Sequence, residues 1–191
     1  MSRDEIERIA SSEVQEYIFA HEDADEKKLI LREKEILGLS SSLIAQQIAI
    51  RRKAEIKLPS FYKTKGVVYP PSLNWEQCSS EATGNFKAEI IHSEIGNRQK
   101  KACDLTGGFG IDSFFFSKKG ELVDYVDPDI NLLNIARHNH SLLGCNNLQY
   151  HHTSAEDFLD QCKTKYDFYL SRSFAKKFSF QKSFPIDRLR A

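Results

Sequence analysis

The chain is poor in the features that mark the more specialised architectures. Its 191 residues hold four cysteines, Cys78, Cys103, Cys145 and Cys162, widely spaced and without a C-x-x-C pair. A disulfide scaffold and a cysteine-built zinc ribbon are therefore excluded, and the thiols read as reduced, in a cytoplasmic protein. No apolar run approaches the roughly 20 residues a membrane helix needs, and the opening Met1-Ser2-Arg3-Asp4-Glu5-Ile6-Glu7 is too polar for a secretory signal. The expectation is a soluble chain with no membrane partner. Net charge is also missing, with 27 Lys and Arg against 27 Asp and Glu, so any nucleic-acid surface must be local. There is no G-x-S-x-G elbow and no G-x-x-x-x-G-K-[ST] loop. His138-x-His140 and His151-His152 have no cysteine or acid at ligand spacing, so no metal site is expected.

What is present is an ordinary 40% of apolar residues, enough for a buried core. Residues 1–58 read as a small helical bundle. Ser2-Arg3-Asp4-Glu5 is a capping-box pattern, and Ile6, Ile9, Val14, Tyr17 and Ile18 at three-and-four spacing predict one helix to Ala20. A second helix is expected over 24–37, stopped by Gly38, and a third from a Ser40–Ser42 cap to Lys57, ended by Pro59. Residues 59–98 form a linker: a proline-rich loop or edge hairpin around Val67-Val68-Tyr69, then a helix after Ser79-Ser80 that stops at Gly96.

From residue 99 to 170 the period alternates. Strands are predicted at 101–105, 122–127, 148–151 and 166–170, with helices at 111–118, 130–143 and 155–162 between them. That order means βαβ units and a parallel sheet of about four strands, Rossmann-like in class. A fourth strand at the open edge invites self-association. Residues 171–191, basic and phenylalanine-rich, carry no clear period and are left unassigned.

Two features carry chemistry. The first is Asp104-Leu105-Thr106-Gly107-Gly108-Phe109-Gly110, where a strand turns through three glycines into a helix. Such a turn offers backbone N–H groups and a helix dipole to a nucleotide-like ligand. A second acid, Asp127, ends the next strand on the order of 20 residues later, the place from which a carboxylate takes both ribose hydroxyls. The pattern departs from the dinucleotide fingerprint, because Ser113 stands at the third glycine position and Asp104 would repel a pyrophosphate. An acid there suits a cationic ligand, and S-adenosylmethionine has both a sulfonium and an α-amino group. An NAD-dependent oxidoreductase is the weaker alternative. The second feature is a basic cluster, Arg51, Arg52, Lys53, Lys57, Lys63 and Lys65, against the single acid Glu55. It is either an RNA-contacting surface or the ordinary complement of a helix C-terminus.

With these residues the chain resembles the class I S-adenosylmethionine-dependent methyltransferases. More narrowly, Leu43 to Ile48, Lys57 to Ser60, Tyr69-Pro70-Pro71, Glu76 to Glu81, Asp104 to Asp112 and Tyr125-Val126-Asp127 resemble a bacterial family related to the RNA cap guanine-N2 methyltransferases, whose members carry a THUMP-like C-terminal domain. The resemblance implies that Asp104, Thr106, Gly107, Gly108 and Gly110 line the methionine end and that Asp127 holds the ribose. It also implies that Ser79 and Ser80 reach the cofactor and that Ser154, Ala155 and Glu156 lie by the adenine. Ser154 departs from the family pattern, which often has an acid there. After Leu170 relatives carry an Asp-Pro-Pro or Asp-Pro-Ala motif that orients the target amine, whereas this chain reads Ser171-Arg172-Ser173. No catalytic residue is therefore identifiable. The expectation is a truncated RNA-base N-methyltransferase with impaired or no turnover, or a non-catalytic cofactor- or RNA-binding fragment. Read as a truncated methyltransferase sheet, the four strands should have the fourth beside the first.

Overall fold

Serine caps divide the N-terminal third of the chain. Ser2 Oγ accepts the Glu5 N–H at 3.2 Å while Glu5 Oε2 accepts the Ser2 N–H at 2.7 Å, which closes a capping box at the start of α1 (Arg3–Ala10). The single helix expected as far as Ala20 is broken at Ser11, which takes ψ 149° and turns its Oγ to the Val14 N–H to start α2 (Ser12–Ala20). A serine side chain competes with the helical backbone for its own hydrogen bonds, and the apolar period runs straight across the break, so periodicity alone cannot reveal it. Helix α3 (Glu26–Arg32) ends five residues before the expected Leu37. Leu37 and Gly38, at φ +52° and +75°, instead form the two-residue turn between β1 (Glu35–Ile36) and β2 (Leu39–Ser40). The Arg8 guanidinium donates twice to the Leu37 carbonyl, at 3.0 and 3.1 Å, and holds that left-handed residue. Helix α4 (Ser41–Lys57) starts on its Ser40 cap and ends where the sequence predicts.

This computed structural model describes residues 1–95 and 101–171; the expected stop at Gly96 and the segment from Arg172 onward lie outside the described residues. Pro59 occupies the first turn of a short helix, α5 (Pro59–Lys63), rather than opening a loop, because its missing N–H costs nothing there. Val67-Val68-Tyr69 forms no hairpin. Its peptide groups are paired by two buried side-chain amides instead. Asn139 bonds Val68 N–H and C=O at 3.0 and 2.9 Å, and Gln47 bonds those of Tyr69 at 2.8 Å each, so two amides stand in for a neighbouring strand. Helix α6 (Ser72–Gln77) follows, and then α7 (Glu81–Ile95).

Beyond it run β3 (Lys101–Asp104), α8 (Ile111–Lys118), β4 (Leu122–Asp127), α9 (Ile130–Leu142), β5 (Leu148–His152), α10 (Ala155–Gln161) and β6 (Phe168–Leu170). All four strands of this sheet are parallel, as the alternating period predicts, in the order β5-β4-β3-β6, with the fourth beside the first as expected. Alternate residues serve opposite faces. Ala102 and Val123 join a core that runs from Ile6, Ile9 and Val14 through Ile44 and Ile48 to Phe116 and Ile135. Cys103 and Val126 face the other way, onto Phe158 of α10 and Tyr166. The N-terminal helices thus share one core with α8 and α9, where each buried large apolar side chain contributes about 1.5–3 kcal/mol. Among the described residues no helix is long and apolar enough to cross a membrane.

Candidate functional site

Strands β3 and β4 end side by side, with Asp104 in register with Tyr125. The chain leaving β3 folds back over β4. Gly107 N–H donates to Val126 O at 3.0 Å, Gly110 N–H to Gly107 O at 2.8 Å, and Phe114 N–H to Gly110 O at 2.9 Å, which opens α8. Asp104, 3% exposed, accepts the Thr106 N–H at 3.2 Å on one oxygen and the Ser113 hydroxyl at 2.7 Å on the other. Asp127, 7% exposed, accepts the Gly108 N–H and the Asp129 N–H, each at 2.8 Å. The structure therefore brings Asp104, Thr106, Gly107, Gly108, Gly110 and Asp127 together at two adjacent strand tips.

The three glycines answer three different constraints. Gly108 takes φ +56°, in the left-handed region. At Gly107 a Cβ would lie 2.2 Å from the Tyr125 ring. Gly110 meets both restrictions, with φ +82° and a Cβ that would lie 2.6 Å from the His140 ring. At 107 and 110 it is thus the protein's own rings that leave no room for a side chain.

Those rings are the part of the site that sequence reasoning misses. Tyr125 hydroxyl donates to Gly108 O at 2.6 Å, and His140 Nε2 lies 2.9 Å from Gly110 O. A carbonyl only accepts, so Nε2 carries the proton; Nδ1 then accepts the Tyr150 hydroxyl at 2.9 Å. Burial pushes the Tyr125 hydroxyl well above its ordinary pKa and the His140 imidazole down to about 4, the bond to Gly110 offsetting part of that fall. Two carbonyls of the glycine turn are thus pinned from the core by neutral donors. The signal was visible only as an unremarkable Tyr in a strand and a His on an apolar helix.

Ser79 and Ser80 sit in the connection before α7. Ser80 Oγ caps that helix by accepting the Thr83 N–H at 3.1 Å, while Ser79 Oγ donates to Asp112 Oδ2, also at 3.1 Å. Asp112 belongs to the first turn of α8, one residue from the Ser113 that holds Asp104. Ser154 caps α10 through the Asp157 N–H at 3.0 Å. With Ala155 and the exposed Glu156 it lies just past the tip of β5, whose His152 is in register with Asp127.

The basic cluster is largely engaged within the chain. The Arg51 guanidinium lies 4.1 Å from the ring centres of both Phe19 and Tyr62 and pairs with Glu22. Arg52 pairs with Glu26, Lys53 with Glu76, and Lys65 with Glu16. Lys57 donates to Trp75 O at 2.7 Å, and Lys63 is exposed. A cavity of about 750 Å³ lies away from the glycine turn, beside β5 and α10. There Asp124 accepts from Tyr166 and pairs with His151.

One solved structure superposes over most of the chain. A protein described as a candidate methyltransferase from Porphyromonas gingivalis superposes with a TM-score of 0.69 at 23% identity, over 88% of this chain and 40% of its own. The chain shares the fold of this neighbour. The chain spans about two-fifths of that neighbour's length. A SAM-dependent methyltransferase from Agrobacterium tumefaciens matches at a TM-score of 0.42 and 20% identity, over 46% of this chain and 29% of its own. An rRNA methylase from Streptococcus thermophilus matches at 0.40 and 18%, over 44% and 50%. No family model matches the chain, and no curated protein does.

Proposed function

We propose that this chain binds S-adenosylmethionine across the tips of β3 and β4, in the manner of an RNA-base N-methyltransferase. The observation that carries the reading is the pair of buried carboxylates, Asp104 and Asp127, on either side of a glycine turn that opens a helix. Asp104 favours a ligand that is cationic near the turn and disfavours the pyrophosphate of NAD. Asp127 already orders the turn through Gly108, and a carboxylate oxygen with one N–H partner keeps a second lone pair for a ribose hydroxyl. When bound, the cofactor supplies a methyl group activated on a sulfonium. RNA as the substrate class rests on the resemblance of the motifs; in the basic cluster Lys63 is exposed, and Lys53 and Lys65 could meet RNA by exchanging their surface pairs with Glu76 and Glu16. Ser171 stands after β6 where the resembling enzymes place an acceptor carboxylate. We accordingly read this chain as one that holds cofactor with little or no methyl transfer.

Calorimetric titration tests the reading. Wild-type protein should bind S-adenosylmethionine in preference to NAD, and tritiated methyl transfer to bulk RNA should stay at background. A hydrogen bond to a charged group is worth about 1.5–3 kcal/mol, so Asp127→Ala should weaken cofactor binding roughly ten-fold or more. Preference for NAD, or unchanged affinity in a folded Asp127→Ala protein, contradicts the assignment.

A further inference from the structure

Helices α7 and α8 are joined by a charged cluster that makes a poor structural clamp. Lys87 Nζ donates to Asp112 Oδ2 at 2.8 Å and to Ser79 Oγ at 3.1 Å, and Ser79 Oγ reaches the same Asp112 oxygen. All the bonding falls on Oδ2. Asp112 is 9% exposed, and its Oδ1 is buried with no hydrogen-bond partner. Desolvating a carboxylate is costly unless both oxygens are satisfied, and an ion pair with one oxygen unsatisfied is a worse strut than a pair of apolar side chains. The cluster adjoins the glycine turn directly: Asp112 is two residues past Gly110, and the next residue, Ser113, bonds Asp104. The Lys87 side chain is about one-third exposed, so its ammonium can still meet a ligand.

We propose that Lys87 is the counter-ion of the α-carboxylate of the bound cofactor, with Asp112 and Ser79 as positioning residues that hold the ammonium at the mouth of the glycine turn. This rests on the S-adenosylmethionine reading above. The chemistry is complementary at both ends of the amino acid. Asp104 supplies negative charge on the strand side, and Lys87 supplies positive charge on the helix side, where the α8 amino end adds to it. An ammonium already anchored by two oxygens loses less rotamer freedom on binding than a free lysine does.

The test compares two ligands on the full chain. Decarboxylated S-adenosylmethionine keeps the sulfonium, the amine and the nucleoside and lacks only the carboxylate. Lys87→Met should lower affinity for S-adenosylmethionine roughly ten-fold or more, the scale of a charge-assisted contact, and leave the decarboxylated compound's affinity within about two-fold. Lys87→Gln should do the same, which guards against a local folding effect of the methionine, and Lys87→Arg should restore part of the loss. A parallel fall for both ligands shows that Lys87 is only a strut and overturns the proposal, as does unchanged affinity for both. Wild-type protein that binds neither ligand overturns the cofactor reading itself and this inference with it. Wild-type binding with no Lys87 effect overturns the inference alone.

Discussion

Gly107→Ala is expected to cost about 3 kcal/mol or more of stability, at or above the usual range for an overpacked core, even though alanine could adopt the backbone there. The added methyl would lie 2.2, 2.4 and 2.5 Å from three carbons of the Tyr125 ring. That ring is fully buried, with Tyr150 at 5.5 Å and His140 at 6.4 Å between ring centres, so it has nowhere to retreat. Any shift large enough to admit the methyl also breaks the 2.6 Å bond from the Tyr125 hydroxyl to Gly108 O, another 0.5–1.5 kcal/mol or so. Urea denaturation of the variant should show a lower midpoint at an unchanged slope. The double variant Gly107→Ala, Tyr125→Leu should be more stable than the sum of the single losses predicts, because removing the ring removes the clash. An unchanged midpoint in Gly107→Ala would show that Tyr125 does not hold the turn.

That interlock shows which parts of the molecule the sequence discloses. Helix α8 and strand β4 are legible to the residue, because the alternation of apolar stretches and glycine stops is a local signal. The parallel sense of the four strands follows from the same alternation. The placement of Asp104 and Asp127 is legible because each ends a strand, which sequence position gives directly. What escapes is whatever depends on a distant partner. Val68 finds its hydrogen bonds 71 residues away on Asn139, and its β-like composition therefore suggests a hairpin that does not exist. Ser11 and the Leu37-Gly38 turn are missed for the opposite reason: one side chain or one left-handed residue overrides a period that continues on both sides. Lys87 and Asp112 are ordinary charges in sequence and become a candidate subsite only when α7 and α8 pack together.

The second large effect is on the pH dependence of stability, and it belongs to His140. The imidazole is fully buried, donates through Nε2 to Gly110 O and accepts through Nδ1 from Tyr150. Protonation would place a second N–H against the Tyr150 hydroxyl and a charge in a site with no solvent. Its folded pKa is accordingly lowered to about 4, with burial the main cause, against about 6.5 in an unfolded chain. Between those values the unfolded state binds the extra proton. The stability His140 contributes is therefore fully present above pH 6.5 and is lost as pH falls toward 4, at about 1.4 kcal/mol per pH unit and about 3 kcal/mol in all. Carboxylates titrate in part of the same window, so the comparison needed is with His140→Gln, which has no titrating ring. The wild-type stability curve should fall more steeply than the variant's between pH 6.5 and 4.5, by an amount that grows as pH drops. In the folded protein the ring stays neutral down to about pH 4, so over this interval the effect falls on folding stability and not on the state of the Gly110 O contact. Parallel stability curves for the two proteins would mean that the ring can take up a proton without leaving the core, and that the glycine turn is not anchored through a neutral imidazole.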